Sequence, residues 1–265
     1  MIDTKNIDLD LLNIMTKYPS IPTYHELGDR GVLNDVVLTE FPKNETLQIT
    51  EKIDGTNARI VFTPDGLAII GSREEFLWAT YDLIGNPAMG IVSCLKPMVC
   101  NLIKQYHTWG PINPKAQGFP LFVIYGEVYG KGIGAAAKQY TATDKVGFRL
   151  FDAAIIENSL EILTWDRSRI STWRENGGQA FLSTTQISMF AKEQNLEYVP
   201  MLGTINAREL PETLSETQMF LNQYTNSKAS LDSTSGKSEG VVIRTPDRKT
   251  IAKLRFEDYA RKRKC

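Results

Sequence analysis

Little in this chain suits metal-cage or disulfide chemistry. Three cysteines, Cys94, Cys100 and Cys265, make an odd number with no CxxC pair, which excludes a disulfide framework and a thiolate zinc site. The two histidines, His25 and His107, stand far apart in sequence and form no metal pair; each reads as surface or core filler. No apolar run reaches membrane-spanning length, and "MIDTKNIDLD" is not a signal peptide. Charge of one sign is lacking as well. Lys and Arg number 30 against 31 Asp and Glu, net −1, so any basic surface must be local. These absences describe a soluble protein of a reducing cytoplasm.

What is present is a chain of 265 residues, 42% hydrophobic and 23% charged, enough for a full core in one large domain or two small ones. "NIDLDLLNIMTKYP" spaces its apolar residues like a short amphipathic helix that ends before Pro19. In "TLQITEKID", Leu47, Ile49 and Ile53 point one way and Gln48, Thr50, Lys52 and Asp54 the other. "NARIVF", the turn "TPDG" and "LAII" form the arms of a hairpin. Further strands are expected at "LFVIYGEVYG", "VGFRLFDAAII", "EGVVIRT" and "TIAKLRF". Helices are expected over about 83–106, 184–195 (with Ser183 as cap) and 215–224. "TNSKASLDSTSGKSEG" reads as a polar loop or lid. There is no internal repeat, and the segment from Pro19 to Pro42 carries no readable pattern. The class is α+β, antiparallel strands from many parts of the chain with helices packed outside.

"TEKIDGTNAR" places an amine, Lys52, at the end of a strand and an Asp-Gly turn directly after it. Alone, KxDG is a solvated lysine before a turn. A lysine amine has a reference pKa of about 10.4, so a nucleophilic lysine needs neighbouring cations or a metal. The rest of the chain supplies candidates in order. "GSR" puts Arg73 past the hairpin, and "YGEVYG" puts Glu127 near the end of a strong strand. "FRLFD" puts Phe148 and Asp152 on one face by period two. "SEGVVIR" puts Glu239 at the start of a strand, and "KLR" puts Lys253 and Arg255 on one face. Each residue alone has an ordinary structural reading; in this order the matches are improbable by chance. "GKGIGAAAKQY" lacks the Lys-Ser/Thr ending of a P-loop and has no phosphate-loop role.

The ordered set "EKIDGTN", "GSR", "YGEVYG", "FRLFD", "SEGVVIR" and "AKLRF" resembles the six motifs of the covalent nucleotidyltransferase superfamily, the polynucleotide ligases and messenger-RNA capping enzymes. It covers Thr50 to Phe256. Asn57 stands where DNA ligases and capping enzymes usually carry arginine. In this it resembles RNA ligases of the nick-sealing phage type, although Arg59 lies two places on.

The resemblance implies an antiparallel α+β ligase adenylation domain with flanking helices, filling residues 1–265 as a single unit with its motifs within 50–256 and no separate C-terminal domain. It implies an ATP-dependent RNA ligase that joins 5′-phosphate and 3′-hydroxyl RNA ends through lysyl-AMP. The substrates would include nicked duplexes. The protein would be a monomer of the cytoplasm, a host's where the chain is phage-encoded, with no membrane partner. Lys52 would be the nucleophile. Lys253 and Arg255 would hold the α-phosphate, Arg255 standing where the nick-sealing class usually has lysine. Asp54 and Glu239 would position Mg²⁺, with Mn²⁺ as a substitute. Glu127 would accept from a ribose hydroxyl, Phe148 would stack on adenine, and the backbone of Glu51 and Ile53 would read the adenine edge. Asn57 and Arg73 would contact the AMP phosphate or the strand ends. The basic run Arg261, Lys262, Arg263 and Lys264 would contact RNA phosphates. A small ATP-dependent DNA ligase and a non-catalytic module that holds nucleic-acid ends are the alternatives, with a GTP-using capping enzyme behind them.

Overall fold

Asp8 caps the first helix, α1 (Leu9–Thr16), its carboxylate accepting from the backbone N–H groups of Asp10 and Leu11. The structure, a computed structural model, describes residues 7–80, 90–105 and 119–260. After α1 comes a short antiparallel pair, β1 (His25–Leu27) and β2 (Leu33–Val37), within the unreadable Pro19–Pro42 segment. The alternating run becomes β3 (Thr46–Lys52), and the predicted hairpin becomes β4 (Thr56–Phe62) and β5 (Ala68–Ser72), followed by β6 (Phe76–Ala79). Helix α2 (Ile91–Gln105) realises part of the helix expected over 83–106; the rest of that expectation, and His107, lie outside the described residues. Next come β7 (Leu121–Gly130), α3 (Ala137–Tyr140), β8 (Val146–Ile156), α4 (Ser159–Ile162), α5 (Arg167–Glu175) and β9 (Ala180–Phe181). The chain continues through α6 (Thr184–Glu193), β10 (Met201–Asn206), α7 (Leu214–Asn222), β11 (Gly240–Arg244), β12 (Ile251–Arg255) and α8 (Phe256–Ala260). Ser183 and Gln186 close a capping box on α6, satisfying two end donors reciprocally.

The strands form two main sheets. One has the order β10-β3-β11-β12, the other β6-β5-β4-β7-β8-β9, and their pairings are antiparallel. Helices lie outside the sheets, so the class is α+β. The six-stranded sheet is buried on both faces. Ile60, Phe62, Ile70, Phe122 and Ile124 pack under α2 and α6, and Val61, Leu121, Val123 and Tyr125 pack under α1 and α5. The four-stranded sheet packs one face into an apolar core: Leu47, Ile49, Val241, Ile243 and Leu254 pack against Leu221 of α7. Its other face carries Thr50, Lys52, Val242, Lys253 and Arg255, by the period of two. Three residues, Ile53 to Gly55, carry the chain from β3 into the second sheet at β4.

One irregularity bears on the site. Between β7 and β8, Tyr125 faces Asp152 and Gly126 faces Leu150, so Phe151 is an extra residue in β8. A bulge of this kind slips the alternation by one.

Candidate active site

The exposed face of the four-stranded sheet and the adjoining end of the six-stranded sheet enclose a cleft of about 390 Å³. Lys52 stands at the end of β3, where its pairing with Gly240 sets it beside the start of β11. The Glu239 N–H donates to the Lys52 carbonyl (3.1 Å), and the Lys52 amine donates to Glu239 Oε2 at 2.5 Å. Side-chain exposures of 26% and 18% leave this ion pair reachable from the cleft. The Asp-Gly turn is held from behind: the Asp54 N–H donates to Tyr140 Oη (2.7 Å). A Cβ at Gly55 would collide with the Val128 carbonyl and with Tyr129, so the close approach to β7 requires glycine there.

Glu127 faces Asn57 across the β4–β7 ladder, deep in the cleft. Desolvation pushes its carboxyl up to about 8; the Lys52 cation opposes this, and the Glu239 and Asp54 carboxylates add to it. Asn57 Oδ1 is buried and without a hydrogen-bond partner, an acceptor in the cleft lining that the protein itself leaves unpaired. Lys253 and Arg255 share the cleft-facing side of β12. Burial lowers the Lys253 amine, and the Arg255 and Lys52 cations lower it further. The Lys253 backbone is bracketed by the N-terminal segment: its N–H donates to Pro22 O (2.9 Å) and its C=O accepts from Tyr24 N (3.2 Å). Arg255 lines the cleft, but its guanidinium is engaged by Asp258 through Nε and Nη2 (2.8 Å each) and by Glu257 through Nη1 (2.7 Å). Arg73 sits at the mouth, 67% exposed. Behind it, buried Arg59 donates to the Arg73 carbonyl (3.2 Å) and to Asn13 and lies over the Phe76 ring; desolvation lowers it to about 10.

Glu51 is buried, and its carboxylate accepts from Ser227 Oγ and from the Lys228 N–H (2.7 Å); its own N–H donates to the Pro200 carbonyl (2.9 Å). The polar run read as a loop or lid is thus pinned to β3, the strand that carries Lys52. Ile53 packs with Tyr129 and Tyr140 while also lining the cleft.

The expectation that Phe148 shares a face with Asp152 is corrected by the bulge. Phe148 lies on the core side, over Gly126, and does not line the cleft; Asp152 and Phe151 do. Period-two counting fails across one extra residue. The pattern also missed the far wall, Tyr18 to Ile21, and a buried cluster at the floor. There Asp152 accepts from Arg244 Nη1 (3.1 Å), Arg248 Nε (2.5 Å) and Tyr18 Oη (2.8 Å). Adjacent Phe151 and Asp152 in "FRLFD" were the only sequence signal for this floor. Arg261 to Lys264 lie outside the described residues. His25 is core, bonded to Tyr259 Oη (2.8 Å) and the Glu212 carbonyl (2.9 Å).

Among the described residues no set of three His, Cys, Asp or Glu side chains is disposed to cage a metal. Glu239 and Asp54 offer hard carboxylate oxygens on one cleft. That donor set fits an ion such as Mg²⁺, which keeps several waters and is held by one or two carboxylates together with substrate phosphates. No helix among the described residues is long and apolar enough to cross a membrane.

Comparison with known proteins agrees with this architecture. The family model described as RNA ligase matches residues 45–256. Among solved structures, a Naegleria gruberi RNA ligase variant with ATP and Mn aligns at a TM-score of 0.52 and 15% identity, over 91% of this chain and 62% of that one. The same ligase with PPi gives the same values, and a variant with AMP and Mn gives 0.52 at 16% identity over the same shares. At this identity the likeness is one of fold, and the chain spans about three fifths of the length of those ligases. No curated protein sequence matches. With a model covering most of its length, and with the cleft on the sheets that the matched segment builds, the chain belongs to the RNA ligase family.

Proposed function

We propose that the protein is an ATP-dependent RNA ligase that works through a lysyl-AMP intermediate. The observation that carries this reading is the placement of the Lys52 amine. It stands at the joint of two sheets, 2.5 Å from Glu239, in a cleft shared with Lys253 and Glu127. The Naegleria structures with ATP, AMP and PPi support the choice of nucleotide.

The Lys52 nitrogen attacks the α-phosphorus of ATP. An N–P bond forms, the P–O bond to the β-phosphate breaks, pyrophosphate leaves and the amine gives up its proton, with Glu239 as the adjacent carboxylate. An RNA 5′-phosphate oxygen then attacks the same phosphorus and releases Lys52. Finally an RNA 3′-hydroxyl attacks the activated 5′-phosphate, and AMP departs. Phosphoryl transfer of this kind is governed by positioning and charge neutralisation. Lys253 supplies a cation at the α-phosphate; Arg255, already paired with Asp258 and Glu257, orders the rim beside it. Glu239 and Asp54 would hold Mg²⁺ or Mn²⁺, which supplies charge neutralisation at the phosphate oxygens. Glu127 meets a ribose hydroxyl; as a neutral carboxyl it can donate as well as accept. Phe151, in place of Phe148, forms the aromatic wall against the base, since it lines the cleft beside Tyr18.

Incubation with radiolabelled ATP, or with GTP in parallel, tests the reading. An adduct from ATP that survives denaturation and alkali but is released by hot acid, as a P–N bond is, and that Lys52→Ala abolishes is expected. Label from GTP would identify a capping-type enzyme, and label from neither would leave a binding module. Sealing of nicked duplexes whose 3′-terminal nucleotide is ribose or deoxyribose then separates an RNA ligase from a small DNA ligase.

A further inference from the structure

Two polar segments that the mechanism does not use, residues 130–145 and 225–238, pack on each other beside the nucleophile. The Leu231 N–H donates to the Tyr140 carbonyl (2.8 Å), Lys145 Nζ to the Leu231 carbonyl (3.1 Å), and the Lys237 N–H to Gln139 Oε1 (2.8 Å). Asp232 accepts from Thr141 Oγ1 (2.6 Å), Thr143 Oγ1 (2.9 Å) and the Ala142 N–H (2.9 Å), so its carboxylate is consumed inside the lobe. The lobe is tied to the active strand twice, through Tyr140 to Asp54 and through Ser227 and Lys228 to Glu51.

The segments carry Lys131, Lys138, Lys145, Lys228 and Lys237 against Asp144 and Asp232. All five lysines are exposed. Lys131 pairs with Asp144, while Lys138, Lys228 and Lys237 form no salt bridge among the described residues. In a chain of net charge −1, this is a concentrated cationic surface. The arginines at the cleft differ: Arg73 is followed by exposed Glu74 and Glu75, and Arg255 is neutralised by Glu257 and Asp258.

We propose that this lobe is the surface on which the RNA backbone lies. The proposal rests on the ligase reading: a 5′-phosphate entering the cleft brings neighbouring phosphates over the surfaces that adjoin it. None of the lobe's residues lines the cleft, but the lobe is fastened to Asp54 and Glu51 beside Lys52 and offers Lys138, Lys228 and Lys237 without a salt bridge among the described residues. Binding of this type is sequence-independent and releases counterions, so it shows as a salt dependence of affinity.

The test measures binding of a nicked RNA duplex against KCl concentration for three full-length proteins. These are the parent, Lys138→Gln/Lys228→Gln/Lys237→Gln, and a control that loses equal charge elsewhere, Lys43→Gln/Lys192→Gln/Lys249→Gln. All substituted positions are exposed, and adduct formation from labelled ATP reports that each protein is folded. Expected for the lobe variant are a parental lysyl-AMP yield, affinity at least tenfold weaker at low salt, and a log–log salt slope shallower by about one for each phosphate no longer neutralised. The control keeps the parental slope. Unchanged affinity and slope in the lobe variant, or equal flattening in the control, overturns the proposal. A parent that binds RNA with the predicted salt behaviour but never forms an adduct would sink the ligase reading and leave the surface standing.

Discussion

A carboxyl group held near 8 inside a protein carries a signature in stability. Glu127 has an ordinary value of 4.5 and is raised chiefly by desolvation. Below pH 4.5 both the folded and unfolded chains keep this proton, and the contribution to stability is complete. Between 4.5 and about 8 the unfolded chain releases a proton that the folded chain retains, so stability falls as pH rises, and the loss levels off above the folded value. Glu127→Gln keeps the shape and removes the titration. Urea unfolding at pH 5, 6, 7 and 8 should therefore show the variant gaining on the parent at each step. A constant difference across that range would mean that Glu127 ionises freely in the folded protein.

At the scale of elements, the bulge in β8 separates two phenylalanines that the sequence puts three places apart. Phe148→Ala should cost about 3 kcal/mol of stability, since the ring packs against the sheet core, and should leave the ATP dependence of adduct formation in the folded protein unchanged. Phe151→Ala should do the reverse, raising the ATP concentration needed for half-maximal adduct roughly tenfold as base stacking worth about 1.4 kcal/mol is removed. Urea titration and adduct assays on both variants check the pair. The same element shows what a linear pattern can and cannot carry. The β4–β5 hairpin and β7 were legible as apolar runs, buried on both faces and bounded by turn residues, β11 as a short β-branched run, and β12 by an alternation that its burial follows. The acids and cations of the cleft were legible because they sit at strand ends in a recognisable order. The extra residue of β8 leaves no mark in the pattern. β10 carries no buried face, and α5 buries only Ile170, so neither has the periodicity that would announce it. The wall from Tyr18 to Ile21 owes its place to packing between distant elements, which no local spacing encodes.

For the molecule as a whole, Asp152 is the point where the two sheets are fastened. Its carboxylate on β8 meets Arg244 on β11 and Arg248 in the following turn, with side-chain exposures of 0%, 2% and 9%. Two guanidinium groups share one buried carboxylate there, and Arg248 also lies 3.4 Å over the Phe181 ring. Asp152→Ala leaves both cations without it and should destabilise the protein by about 3–5 kcal/mol; Asp152→Asn, which retains the acceptor oxygen, should cost less. The urea midpoints of the two variants decide this, and equal losses would show that the carboxylate charge, not its acceptor, holds the joint. The pairing of Lys52 with Gly240 also has a consequence in time. Residues 56–181 contain every strand of the six-stranded sheet, so that sheet can close from contacts within one segment as the chain is made. β3 must instead keep its edges open until β10 and β11 arrive, late and from far along the chain. Long-range closure of this kind is slow, and it comes after the local contacts have formed. A nascent chain would thus own a formed core while the Lys52 amine still hung on an unpaired strand, and the AMP uptake proposed for it would be the last property to mature.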